Sequence, residues 1–163
     1  MPNFVEHEMQ ASNNRDLVND LMNMKQGDSS DSPLKYPDWV STVCFYTAVH
    51  VIEAEIFAMT KVHYCYRGNK VVSETINHSS DFKNIFTGST LPTSAHYYRK
   101  LVVEDSRNGY DDKFMDSYGN LFEYSCESRY NCYKKCSKNV LKAQKALKVI
   151  LDFHKSHYKE SNL

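Results

Sequence analysis

Apolar residues recur every three or four positions along most of this chain, a spacing that predicts helices rather than strands. The spacing is strongest in residues 36–61, YPDWVSTVCFYTAVHVIEAEIFAMTK. Trp39, Val43, Tyr46, His50, Ala54 and Phe57 fall on one face, and Val40, Cys44, Phe45 and Val51 widen it. A helix apolar on so many sides is expected to lie centrally, against several neighbours. Pro37 suits a first turn, and Asp38 places negative charge at the positive end of the helix dipole.

A first helix is predicted over residues 3–25, with Met9, Leu17, Leu21 and Met24 as its apolar set. Gly27 ends it, and GDSSDSP at 27–33 reads as a linker with turn chemistry. Residues 62–93 are the irregular part. Short β-compatible runs, Val62–Tyr66 and Lys70–Ser73, flank Gly68-Asn69 and suggest a small hairpin or an ordered loop. His78, Ser79, Ser80 and Asp81 offer N-caps for a short helix reaching Phe86. Further helices are predicted over 94–106, with Tyr97, Tyr98, Leu101 and Val102 apolar, and over 114–133, with Phe114, Tyr118, Leu121, Phe122 and Tyr124. A last helix from Ser137 to Tyr158 shows a stripe of Val140, Leu141, Leu147, Ile150, Leu151 and His154 opposite Lys138, Lys142, Lys145 and Lys148. The expected fold class is all-α, an antiparallel four- to five-helix bundle with an irregular middle segment, forming one domain over residues 1–163.

Composition agrees with that picture. A hydrophobic fraction of 41% is enough for a real core, and only 5 Gly and 4 Pro argue against a turn-rich all-β fold. The 20 basic and 20 acidic residues cancel, so no global field draws nucleic acid or an anionic membrane to the chain. No apolar run reaches roughly 18 residues, so no membrane-spanning helix is expected. The start, MPNFVEHEMQASNN, shows neither a basic nor an apolar signal region. Five cysteines, an odd number, favour reduced thiols and a cytoplasmic protein.

Polar groups on the apolar central helix single out Tyr46, His50 and Glu53. An unpaired buried polar group costs about 1–3 kcal/mol, so these three either form a hydrogen-bonded core network or mark a site. His50 and Glu53 are helical neighbours and would suit a general base or a metal ligand. The repeated Glu-x-x-His pattern of di-metal bundles is missing, and no metal or cofactor is expected. Cys126, Cys132 and Cys136 have the spacing C-x5-C-x3-C, which fits plain thiols better than zinc. Arg129-Tyr130 is more pointed. A planar guanidinium beside tyrosines could stack on a base or grip a phosphate, or else pair with Glu53, Glu123 or another carboxylate inside the bundle. The lysine face of the last helix reads as solvated, or as a phosphate-tracking stripe. His154 and His157 suit the negative end of that helix. No GxGxxG, P-loop, G-x-S-x-G, HExxH or EF-hand pattern is present.

Taken in order, Tyr36-Pro37-Asp38-Trp39, Phe45-Tyr46, Ala48, His50 and Glu53-Ala54 resemble the central helix of a bacterial and archaeal group of HEPN-type domains. His7 with Asn13 or Asn14 upstream, Asn77-His78 after the helix, and Tyr118, Leu121, Ser125 and Arg129-Tyr130 later extend the resemblance over residues 7–133. It implies an antiparallel helical bundle that often dimerises, in a family associated with RNA cleavage, nucleotide-binding partners, toxin–antitoxin pairs and defence. Catalytic members carry an arginine followed four to six residues later by histidine. None of Arg15, Arg67, Arg99, Arg107 and Arg129 is so followed, and Ser-Ser-Asp follows His78 where a basic residue would suit the group. The expectation is therefore a non-catalytic or degenerate module, a homodimer that binds RNA, a nucleotide or a protein partner. The alternative is a metal-independent RNase with a rearranged site. The candidate site comprises Tyr46, His50, Glu53, His78, Arg129 and Tyr130.

Overall fold

The computed structural model describes residues 2–60, 64–67, 70–73, 95–105, 108–130, 139–158 and 163. They form five helices and one two-stranded hairpin: α1 (Phe4–Asn23), α2 (Pro37–Thr60), β1 (Tyr64–Arg67), β2 (Lys70–Ser73), α3 (Ala95–Glu104), α4 (Asp112–Tyr130) and α5 (Val140–His157). The helical class and each helix agree with the hydrophobic pattern. The hairpin falls where Gly68-Asn69 placed a turn, with Tyr64 opposite Ser73 and Arg67 opposite Lys70. The predicted short helix near Phe86 lies outside the described residues.

Local chemistry sets the helix ends. Asn3 caps α1 in a reciprocal capping box with Glu6: the Glu6 amide donates to Asn3 Oδ1 at 3.0 Å, and the Asn3 amide to Glu6 Oε2 at 2.8 Å. Between α1 and α2 the loop is ordered by its own backbone. Lys35 N–H donates to the Met24 carbonyl at 2.9 Å and Gln26 N–H to the Pro33 carbonyl at 3.0 Å. Gly109 turns the chain ahead of α4 with a φ of 76°, a left-handed conformation that other residues adopt only at a cost. Asp111 then caps α4 by accepting the Phe114 amide at 2.7 Å.

α2 is the central helix, packed against α1, α4 and α5, with α3 resting more lightly on α2 and α4. Val40, Phe45, Val51, Ile52 and Ile56 of α2 are fully buried, with Phe114, Tyr118 and Leu121 of α4 and Ile150 of α5. Each such side chain contributes about 1.5–3 kcal/mol through burial. α2 is also more apolar than the run-length reading allowed. Pro37–Met59 is long and apolar enough, by length and composition, to cross a membrane, but 72% of its apolar window is buried inside the fold.

Several inward-facing assignments are corrected. In α1 the buried residues are His7, Glu8, Ala11, Val18 and Leu21, while Met9, Leu17 and Met24 are exposed. Two polar residues occupy the core side of α1, so of the apolar set only Leu21 faces the core. Trp39 is 61% exposed because it stands on an open cleft at the start of α2, and Leu141 is exposed in the first turn of α5.

Candidate functional site

The first turns of α2 and the last turn of α4 enclose a cleft of about 520 Å³. Tyr36, Trp39 and Tyr46 line it with Lys35, and Ser128 and Arg129 come from α4. Tyr36 and Trp39 are exposed, and Tyr130, whose ring lies under Arg129, is 77% exposed. Aromatic surface left in water at one spot is unusual, because burying such rings is a main source of stability.

Two cations stand over this aromatic surface. The Arg129 guanidinium lies 5.4 Å from the centre of the Tyr130 ring, and Lys35 Nζ lies 5.3 Å from that of Tyr36. Arg129 is held by its own helix: Nε–H donates to the Ser125 carbonyl at 3.2 Å, and an Nη2–H points to Cys126 Sγ at 3.8 Å. Among the described residues it pairs with no carboxylate. The sequence alternative of an internal pair with Glu53 or Glu123 is thus corrected, since Glu53 is taken by Arg99. Two buried polar atoms on the cleft lining, Asp38 Oδ1 and Ser128 Oγ, have no hydrogen-bond partner.

Behind the cleft lies a set of histidines that the sequence reading had only partly found. Tyr46 packs edge-on against His96 of α3 with ring centres 5.6 Å apart, and Phe45 does the same at 5.1 Å. Burial, then the charges of Arg99 and Arg129, pull the His96 pKa down to about 4. His50 is also lowered, by burial and then by Arg99. His50 Nδ1 meets His7 Nδ1 at 3.3 Å, a contact in which one imidazole must donate and the other accept. Glu53, buried, forms an ion pair with Arg99 Nε.

The contacts described for Tyr46, His50 and Glu53 run to separate partners. Each reaches a different partner, because side chains three or four residues apart on a crowded helix meet different neighbouring helices. Tyr46 and Arg129 share the cleft and the Tyr130 ring lies under Arg129, whereas His50 and Glu53 sit deeper along α2. His78 lies outside the described residues, as do Cys132 and Cys136. His96 and Arg99 were missed; their spacing of three on a short amphipathic helix was the available signal. Among the described residues no group of three or more His, Cys, Asp or Glu could hold a metal. Cys44 is buried, which pushes its thiol up to about 12 and leaves it unreactive.

His154 carries more than its sequence position implied. It is fully buried, as its place in the apolar stripe suggested, and in the last turn of α5 it also meets two carboxyl groups. Its Nδ1 lies 2.9 Å from Glu55 Oε1 and its Nε2 3.0 Å from Glu8 Oε1. Set against family models, curated proteins and solved structures, the chain matches none of them.

Proposed function

We propose that this chain is a non-catalytic binding module, an antiparallel HEPN-like bundle that holds single-stranded RNA in the cleft between α2 and α4. The observation that carries this reading is the exposed aromatic surface of Tyr36, Trp39 and Tyr130 with Arg129 and Lys35 set over it. Unpaired bases stack on aromatic side chains for about 1–3 kcal/mol each, and a guanidinium fork suits the phosphate between them. A neutral chain needs such local cations, because it has no overall field to supply affinity. The HEPN resemblance adds a homodimer and a toxin–antitoxin or defence setting.

Fluorescence anisotropy with a labelled single-stranded RNA tests this. Wild type should bind, and Arg129→Ala and Trp39→Ala should each weaken binding about ten-fold, near the value of one stacked base. Absence of binding by a folded wild-type protein, or equal binding by all three proteins, would sink it.

One observation favours an RNase as the second reading: His96 stands neutral between Arg99 and Arg129, close to the cleft. A neutral imidazole can accept a proton. A pKa of about 4, however, makes it a weak base at neutral pH, where a general base works best near the operating pH. Incubation of an RNA pool in EDTA should therefore leave it intact. Cleavage by wild type that His96→Gln abolishes would replace the binding module with a metal-independent RNase.

A further inference from the structure

A second cavity, of about 190 Å³, lies beside the C-terminal parts of α2 and α5 and the turn at Asn108 and Gly109. Glu55 forms its charged wall, and Tyr110, Phe153, His157 and Tyr158 give it four rings, with Met59 alongside. The rings touch one another: Phe153 and His157 are stacked 4.2 Å apart, and Tyr110 and Phe153 are 5.8 Å apart.

Behind this wall His154 stands between Glu55 and Glu8, and among the described residues neither carboxyl group has another ionic partner. One imidazole thus serves two carboxyl groups, and Glu55 also lines the cavity. Tyr110, 7% exposed, lies on the cavity wall with its hydroxyl directed towards Glu55. Burial and then the Glu55 charge raise the pKa of both Tyr110 and Tyr158, which places both phenols in the same negative field.

We propose that this cavity binds a small organic ammonium ion, held by the Glu55 carboxylate and the rings of Tyr110, Phe153 and Tyr158. Aromatic faces attract cations, and rings gathered around one acidic group suit alkylated ammonium, whose methyl groups also pack against them. A divalent metal fits poorly. Calcium and magnesium want six or more oxygen ligands, and the cavity offers one carboxylate among rings. The site is separate from the RNA cleft and does not depend on it.

The full chain, isotope-labelled, would be titrated with tetramethylammonium chloride and with choline chloride at constant ionic strength, sodium chloride making up the balance. Backbone amide resonances of Gly109 and Tyr158 report on the cavity. Saturable shifts at both are expected, with dimethylbutanol, the neutral carbon isostere of choline, binding about ten-fold more weakly than choline. Glu55→Gln should remove that preference. Because this variant disturbs the buried pair, Tyr158→Leu provides the second test: it keeps both members of the Glu55–His154 hydrogen bond, trims the ring that packs on His154 at 4.8 Å, and should weaken choline binding about five-fold. Absence of saturable shifts, equal binding of choline and its isostere, or a Tyr158→Leu protein that binds as wild type would each overturn the proposal.

Discussion

Glu53 and Glu55 stand two residues apart on α2, so they point to opposite sides of it, roughly 200° apart at about 100° per residue. Both are buried, and each takes a cation from another helix, but the cations differ. Glu53 has Arg99, whose charge is permanent; Glu55 shares His154 with Glu8, and that charge exists only while the imidazole is protonated. The histidines near these pairs diverge accordingly. On the Glu53 side burial and the arginines lower His50 and His96. On the Glu55 side burial also opposes charge on His154, yet hydrogen bonds and the charges of Glu55 and Glu8 outweigh it and raise the pKa. The same residue type is neutral on one side of the central helix and cationic on the other because its neighbours differ in sign.

The sharpest way to break this comparison is to remove the permanent cation. Arg99→Met removes the permanent cation that pairs with buried Glu53 and should cost about 3–5 kcal/mol, read from the urea midpoint. Arg99→Met combined with Glu53→Leu should recover most of that loss, because an apolar pair of similar volume has no charge to desolvate. A single variant within about 1 kcal/mol of wild type would show that Arg99 does not balance Glu53.

A smaller effect comes from pH, and the two sides carry opposite signs. His154 has a folded pKa above its unfolded value near 6.5, so its stabilisation is complete below that value and is lost as pH rises through the folded pKa. His50 and His96 have folded values below 6.5, and the unfolded chain takes up their protons first. Stability therefore falls as pH drops from about 6.5 towards about 4, the folded value of His96. Imidazole resonances should show His154 still protonated at a pH where His96 has lost its proton. Glu8→Gln should lower the His154 pKa and leave that of His96 unmoved. Equal titration of the two rings in wild type would dissolve the distinction between the two sides.

How much of this was legible in the sequence follows from what hydrophobic periodicity measures. It located every described helix, because each buries an apolar stripe, and Gly68-Asn69 marked the hairpin. It misread α1, where His7 and Glu8 occupy the core side and Met9 and Leu17 the surface, since a polar residue is scored as exposed until its partner is known. Glu8 and His154 are 146 residues apart, and no local pattern links them. For the same reason His50 and Glu53 were visible as unusual, whereas His7 and Arg99, their actual partners, were not identified as such. Arg129-Tyr130 was legible as a pair because its cation–ring contact lies between adjacent residues.

The smallest expected effect on stability belongs to the cleft, and there the comparison turns from the two buried sides to the surface. Trp39 is 61% exposed, so Trp39→Ala removes little buried area and should change stability by no more than about 0.5 kcal/mol. A tryptophan serving the core would behave otherwise, since Trp→Ala in a core costs about 3–5 kcal/mol. The pairing of a nearly unchanged urea midpoint with a ten-fold loss of RNA affinity is what a binding platform predicts, at about the value of one stacked base. A large loss of stability would instead assign Trp39 to the packing of α2 against α4, and the aromatic surface at this end of the bundle would then be an extension of the core.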